Sequence, residues 1–168
     1  RGSTHITHDL IVIGGSYAGM AAALQVLRAR RRVLVIDAGL RRNRFARHAQ
    51  GFLGQDGVPP EQIAAEARAQ LMAYPGLTWL EGEAVALHGA RDAFEVVLGQ
   101  GQRVAGRRIL FATGVRDALP AIEGLADRWG RSVFHCPYCH GYELDGGAIG
   151  VLGSSPMSVH QAELLGDW

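Results

Sequence analysis

Residues 10–37 read LIVIGGSYAGMAAALQVLRARRRVLVID and carry the clearest fold signal of the sequence. Its first apolar run, residues 10–13, is typical of a strand that is buried on both faces of a parallel sheet. Residues 18–29 are rich in good helix formers and end in arginines, which suit the carboxyl end of a helix. A second apolar run, residues 33–36, ends at Asp37. The pattern predicts a strand, a glycine turn, a helix and a second strand, which together make a right-handed βαβ unit.

The turn between the first strand and the helix matches a dinucleotide-binding fingerprint in which serine replaces the middle glycine. Its residues are Gly14, Gly15, Ser16, Tyr17, Ala18 and Gly19. Small residues let the backbone approach a pyrophosphate, and the helix amino terminus offers N–H groups and a positive dipole end. Asp37 lies about 20 residues further on, where a carboxylate accepts hydrogen bonds from ribose hydroxyls. A free ribose favours FAD or NAD over NADP.

The middle of the chain predicts a loop, a helix and a β-meander. Residues 41–57 are irregular and glycine-containing, which is typical of a long functional loop. Residues 61–73 carry apolar side chains at helical spacing. Three strand-like runs follow, at residues 78–87, 93–98 and 102–110. They predict a three-stranded meander that leads into a last strand. The end of that strand is formed by Phe111, Ala112, Thr113 and Gly114.

A second βαβ unit is predicted near the carboxyl end of the sequence. Residues 148–152 read as a new buried strand, residues 153–157 as its turn and residues 159–165 as its helix. The turn keeps only the first glycine of the fingerprint, Gly153. No second strand follows, so we expect these 168 residues to be a fragment of a longer protein that retains FAD weakly on its own.

The two cysteines of the sequence lie in one short motif. The motif is His135, Cys136, Pro137, Tyr138, Cys139 and His140. Four chemistries use such strings: c-type haem attachment, the glutaredoxin tetrad, a zinc site, and cycling between dithiol and disulfide. Haem attachment needs export, glutaredoxin motifs follow the first strand of a small domain, and adjoining histidines are poorly placed for one tetrahedral metal. We therefore predict redox cycling of Cys136 and Cys139, with His140 as the proton shuttle and no metal.

Composition sets limits on the partners. The formal net charge is +1, which provides no global field for nucleic acid. Arginines cluster at residues 28–32 and 41–47, but without interleaved aromatic residues they indicate a solvated face rather than a nucleic-acid surface. No apolar run is long enough to cross a bilayer, and the sequence shows no export signal. We expect a cytoplasmic protein that binds neither nucleic acid nor membrane.

These features, in this order, resemble the low-molecular-weight thioredoxin reductases, which are FAD-dependent pyridine nucleotide-disulfide oxidoreductases. The resemblance implies an α/β fold with a Rossmann-like FAD-binding domain that contains the meander, followed by the start of a second Rossmann-like NAD(P)H domain. We assign residues 1–114 to the first domain. Residues 115–168 contain the redox-active cysteines and the start of the second. The resemblance also implies a homodimer and NADPH as a second cofactor.

The resemblance also implies roles for individual residues. The turn from Gly14 to Gly19 would hold the FAD pyrophosphate, and Asp37 would bind the adenosine ribose. The strand end that includes Ala112, Thr113 and Gly114 would pack against the cofactor. Cys139 would face the flavin, whereas Cys136 would exchange with the substrate.

Longer strings are similar to a subgroup that includes small-molecule dithiol oxidases. They are residues 41–45, 51–57 and 136–143. Within that subgroup Asn43 and His48 would approach the cofactor, and a histidine replaces the acid that usually follows the second cysteine. We therefore expect a thiol-disulfide oxidoreductase that acts on a thioredoxin-like protein or a small-molecule disulfide. The alternative is a flavin-dependent dithiol oxidase that uses oxygen as acceptor.

Overall fold

The structure is a computed structural model that describes residues 8–168. The chain divides into two compact units. The first comprises the chain up to Arg44 together with Glu61–Asp117, and the second comprises Phe45–Pro60 and Ala118–Trp168. The division of the sequence at residue 114 into an FAD domain and an NAD(P)H domain stays a prediction about the functional domains.

All strands of the described residues lie in the first unit, and the helices are shared between the two. The strands are β1 (Leu10–Ile13), β2 (Val33–Asp37), β3 (Leu77–Glu81), β4 (Ala84–Ala90), β5 (Ala93–Leu98), β6 (Arg103–Gly106) and β7 (Ile109–Phe111). The α-helices are α1 (Tyr17–Arg28), α2 (Pro60–Met72), α3 (Leu125–Arg128), α4 (Pro137–His140) and α5 (Met157–Leu165). Short 3₁₀ turns cover Arg42–Phe45 and Tyr142–Leu144.

The core of the first unit is a four-stranded sheet with the order β3-β2-β1-β7. Every neighbouring pair in it is parallel. Ile11 and Val12 of β1 are 0% exposed, as expected of a central strand that is covered on both faces. The parallel sheet and its crossover helix α1 confirm the predicted βαβ unit and the α/β, Rossmann-like fold.

The two faces of this sheet are covered by different elements because alternate side chains of a strand point in opposite directions. Val12, Val33 and Val35 pack with residues of α1 and α2, such as Ala23 and Leu71. The other face is covered by the three-stranded antiparallel sheet β4-β5-β6, the meander that the sequence predicts. The contacts on that face join Ile11, Leu34 and Ile36 to Val96 and Leu98. The first unit is therefore built in three layers.

The meander begins and ends at different residues from those predicted. Residues 78–87 are not one strand, because the chain turns at Gly82, whose N–H donates to the carbonyl oxygen of Asp37 at 2.9 Å. β3 consequently joins the parallel sheet beside β2, and only β4 enters the meander. Residues 102–110 divide in the same way into β6 and β7. Alternation of apolar residues does not distinguish one strand from two that continue into different sheets.

The predicted strand at residues 148–152 is wrong. These residues have no regular structure and are exposed. A strand forms only where neighbouring strands satisfy its backbone N–H and C=O groups, and no strand of residues 8–168 pairs with this segment. The helix predicted after it is confirmed as α5.

Candidate functional site

The glycine turn lies between β1 and α1 and is pressed against the end of β7. Gly14 has a φ of +109°, and a Cβ atom there would overlap the carbonyl oxygen of Ala112. The N–H of Ala112 donates to the carbonyl oxygen of Ile13 at 2.8 Å. A Cβ atom on Gly14 would also lie 3.2 Å from the backbone nitrogen of Thr113. The structure therefore brings together the predicted turn and the predicted strand end.

The other two glycines of the turn allow close packing on its two sides. A Cβ atom on Gly19 would overlap the carbonyl oxygen of Gly14, so the absence of a side chain lets α1 lie directly against the turn. A Cβ atom on Gly15 would lie 2.6 Å from Cβ of Asp37. This closeness places the carboxylate of Asp37 beside the turn, as the sequence predicts for a ribose-binding acid.

The amino terminus of α1 is arranged for an anion. Ser16 is its N-cap residue, and the serine side chain makes no capping hydrogen bond. Its carbonyl oxygen accepts the first helical hydrogen bond from the N–H of Met20, at 2.9 Å. A pyrophosphate at this end would meet backbone N–H groups and the positive end of the helix dipole.

Asp37 closes β2 and has one carboxylate hydrogen bond within its own loop. Its Oδ1 atom accepts from the N–H of Gly39 at 3.2 Å. This bond holds the carboxyl group at the carboxyl end of the parallel strands, where open α/β sheets bind their ligands.

Asn43 lies on the 3₁₀ turn after β2, in the first unit. Its Nδ2 atom donates to the hydroxyl oxygen of Tyr17 at 3.0 Å, which links that turn to the first turn of α1. Its Oδ1 atom is buried and has no hydrogen-bond partner. An unsatisfied buried acceptor costs about 1–3 kcal/mol, which a ligand donor would recover. His48 is exposed and belongs to the second unit, so its approach to the cofactor stays a prediction.

These observations fit a dinucleotide. Three glycines leave room for close backbone approach, a carboxylate lies beside the turn, and a buried amide oxygen lacks a donor. FAD provides a pyrophosphate, ribose hydroxyls and further N–H or O–H donors for these three features. The residues of the first unit are therefore suited to hold it.

The cysteine pair lies in the second unit at the start of α4. The sulfur atoms of Cys136 and Cys139 are 2.6 Å apart. Neither cysteine is in a disulfide bond, and both are half-buried. Cys136 precedes the helix, and Pro137 begins it with the backbone angle that a first helical turn requires. One short helical turn therefore holds both sulfurs within reach of each other.

His140 closes α4 and is shielded by an aromatic ring. Its imidazole is stacked on the ring of Phe134, with centroids 4.1 Å apart and an interplanar angle of 18°. Burial lowers the pKa of His140, the nearby imidazole of His135 lowers it further, and Glu143 opposes both effects. Near neutral pH His140 is therefore an uncharged base beside Cys139. His135 is exposed and lies against Trp129, with ring centroids 5.8 Å apart.

The sequence did not point to two of the residues near these groups. Phe134 gives no motif of its own and is revealed only by its stacking on His140. Trp79 of β3 lies in register with Val35 of β2, and its ring atom Cη2 would be 2.8 Å from a Cβ atom on Gly15. Only the pairing of β3 with β2, which the sequence did not predict, brings Trp79 to the glycine turn.

Among residues 8–168, no cluster of three or more histidine, cysteine or acidic side chains is arranged to bind a metal ion. Within the same range, no helix combines the length and the apolar character that a membrane span requires.

The fold and the site together define a dinucleotide-binding α/β protein that carries a vicinal dithiol. Residues 8–167 match the family described as pyridine nucleotide-disulphide oxidoreductase, and the chain belongs to that family. It is 38% identical, over 92% of its length, to the thioredoxin reductase tcpT of Claviceps purpurea.

The chain is also similar to solved structures. The chain is similar to an oxidoreductase from Agrobacterium tumefaciens, with 55% identity and a TM-score of 0.93 over 96% of this chain and 55% of the other. It is also similar to HlmI, with 43% identity and a TM-score of 0.91 over 100% of this chain and 54% of the other. The chain covers 49% of tcpT, so it spans about half the length of the relatives that it matches.

Proposed function

We propose that this chain forms the flavin-binding and dithiol part of an FAD-dependent thiol-disulfide oxidoreductase. The enzyme passes electrons between flavin and the Cys136/Cys139 disulfide and on to a protein or small-molecule disulfide. One observation carries the proposal: the two sulfurs lie 2.6 Å apart in a chain that also has a fitted dinucleotide turn. The resemblance to a protein named thioredoxin reductase supports the same activity.

The two cysteines divide the exchange between them. The thiolate of Cys136 attacks the substrate disulfide, forms a mixed disulfide and releases the first substrate thiol. Cys139 then loses its proton to His140 and attacks the sulfur of Cys136. This step breaks the mixed disulfide, releases the second substrate thiol and closes the Cys136–Cys139 disulfide. The substrate gains two electrons and two protons, and the cysteine pair loses them.

The neutral state of His140 suits it to this role. An imidazole accepts a proton only when it is uncharged, and both its burial and the neighbouring His135 favour the uncharged form. FAD, when bound, supplies the electron pair that returns the disulfide to two thiols, and NADPH renews that supply.

The cofactor residues are assigned as part of the same proposal. In the first unit, the glycine turn and the end of β7 carry the backbone groups that approach FAD, while Asp37 and Asn43 supply side-chain oxygens. His48 of the second unit is kept as a further contact. The assigned turn and strand-end residues are Gly14, Gly15, Ser16, Tyr17, Ala18, Gly19, Ala112, Thr113 and Gly114. The functional domains are residues 1–114 and 115–168.

The partners and the location complete the proposal. A thioredoxin-like protein or a small-molecule disulfide is the substrate, and a homodimer in the cytoplasm is the working form. Several arginines of the first unit make contacts within the protein. For example, Arg28 donates to the hydroxyl oxygen of Tyr74 at 3.0 Å, and Arg68 lies 4.5 Å from the ring centroid of Trp79.

The test is the Cys139→Ser variant of the complete gene product. We expect it to keep its flavin spectrum and to lose NADPH-driven disulfide reduction by about 10³-fold or more, because no second thiol closes the disulfide. His140→Gln should lower turnover by about 10²-fold, with the exposed His160→Gln as the matched control. A Cys139→Ser protein with full turnover would refute the assignment.

The direction of electron flow is read from an anaerobic spectrum of the same protein. Bleaching of the flavin bands by NADPH supports the reductase. If NADPH leaves the flavin absorbance unchanged, a dithiol bleaches it and oxygen restores it, the protein is a dithiol oxidase rather than a reductase.

A further inference from the structure

An ion pair joins the loop after β2 to the segment after β7. The Nε atom of Arg42 donates to Oδ2 of Asp117 at 2.9 Å, and its Nη2 atom donates to Oδ1 at 2.5 Å. Two parallel N–H···O bonds between a guanidinium and a carboxylate fix the relative position of the two groups more strictly than a single contact does. Both residues belong to the first unit.

Both ends of this pair lie next to residues of the dinucleotide site. Arg42 directly precedes Asn43, on the same 3₁₀ turn. Asp117 follows the strand end whose Ala112 carbonyl lies against Gly14. Arg42 is therefore one residue from Asn43, and Asp117 is three residues from Gly114.

A continuous series of contacts connects the end of β7, the glycine turn, α1 and the loop after β2. The end of β7 touches the glycine turn at Gly14, and the turn continues into α1. Tyr17 of α1 receives the hydrogen bond from Asn43. Arg42, the neighbour of Asn43, returns to the β7 side through Asp117. Without the ion pair, the amide of Asn43 would keep its link to α1 and lose its link to the end of β7.

We propose that the Arg42–Asp117 pair is a positioning clasp that holds the amide of Asn43 toward bound FAD. This inference rests on the proposed function, because it assumes that FAD donates the hydrogen bond that the Oδ1 atom of Asn43 lacks. In this proposal the clasp is a positioning device that acts through Asn43.

The contribution of the Arg42–Asp117 pair to FAD affinity depends on how exposed its two side chains are. The side chains of Arg42 and Asp117 are 40% and 22% exposed, so solvent screens the attraction in part. Exposed pairs contribute modestly, and bidentate geometry raises that contribution. We expect Asp117→Asn to weaken FAD binding by about 3- to 10-fold.

The experiment is a double-mutant cycle in the complete gene product, with FAD affinity measured by flavin fluorescence. Asp117→Asn is made in the wild-type background and in the Asn43→Ala background. Glu95→Gln is the matched control, because Glu95 pairs with Arg103 at the same 2.5 Å but lies in the antiparallel sheet. The exchanged double variant Arg42→Asp with Asp117→Arg tests rescue.

The expected result is a loss of about 3- to 10-fold for Asp117→Asn in the wild-type background and less than about 2-fold in the Asn43→Ala background. Rescue by the exchanged variant and an unchanged Glu95→Gln protein support the clasp as well. Equal losses of FAD affinity in both backgrounds, or no loss in either, would overturn the clasp. If the wild-type protein still binds FAD in that case, the proposed function is unaffected. A wild-type protein that binds no FAD would overturn both.

Discussion

The strand β1 and residues 148–152 are both short apolar runs that lead through a turn into a helix. β1 is hydrogen-bonded to β2 on one side and β7 on the other, and its Val12 is completely buried. Residues 148–152 pair with no strand of the described chain, and Val151 is 40% exposed. Apolar sequence makes a strand possible, but neighbouring strands that satisfy the backbone make it form.

The turns that follow β1 and residues 148–152 also differ in how closely they are packed. The turn after β1 lies tightly against β7 and Asp37, so its glycines have neighbours within contact distance. Gly153, in the turn after residues 148–152, has nothing within 4 Å of a built Cβ atom. A glycine is required where backbone meets backbone, and it is replaceable where the surroundings are open.

A buried charge tests the first comparison and should have the largest effect. We expect Val12→Asp to destabilise the chain by more than about 4 kcal/mol, because it places an unpaired carboxylate between two layers of the core. Val151→Asp should change the free energy of unfolding by less than about 0.5 kcal/mol. Urea denaturation of the 168-residue chain measures both. A comparable loss for Val151→Asp would show that residues 148–152 are buried in solution.

Alanine substitution compares the two turns. Gly19→Ala should cost about 1–3 kcal/mol, because the new methyl group would overlap the carbonyl oxygen of Gly14 and force α1 away from the turn. Gly153→Ala is its matched control and should stay within about 0.5 kcal/mol of the parent. Denaturation curves in urea are again the measurement. Equal stability of the two variants would mean that α1 does not rest on the glycine turn.

A smaller effect concerns the second unit, where the order of the cysteine motif comes from side-chain stacking rather than from strand pairing. Phe134→Ala should raise the pKa of His140 toward its ordinary value of 6.5, because it removes the ring that shields the imidazole. NMR titration of the His140 ring protons reads this shift directly. An unchanged pKa would assign the lowering to other neighbours, and His135→Gln separates the charge of His135 from burial.

The sign of the associated stability change follows from the same shift. The folded pKa of His140 lies below that of the unfolded chain, so the unfolded state binds the proton more readily. The contribution of the neutral imidazole is therefore present above pH 6.5 and is lost as the pH falls toward the folded pKa. Phe134→Ala should flatten this part of the stability profile.

Local pattern predicted the elements around the glycine turn well. β1, α1 and β2 lie within a residue or two of the predicted ranges, because each is a short element with strong periodicity and clear end signals. The sequence pattern does not predict the break at Gly82, because the residues on both sides of it form strands. Their separation depends on which sheet each half joins, which no local signal records.

The spacing of the cysteine motif indicates its chemistry but does not reveal the side chains that surround it. The spacing of Cys136 and Cys139 is sufficient to expect two sulfurs on one helical turn. No local pattern indicates the role of Phe134, because its stacking on His140 depends on where the chain folds back. The clasp between Arg42 and Asp117 likewise joins residues 75 positions apart.

The order of the elements, the glycine turn with its acid, and the dithiol can be predicted from residue type and short spacing along the chain. The three-dimensional arrangement was needed to show which apolar runs form strands, that Trp79 lies beside the turn, and that Asn43 has a buried oxygen without a donor. The physical reason is that backbone pairing, close packing and burial are properties of neighbours that are distant in the sequence.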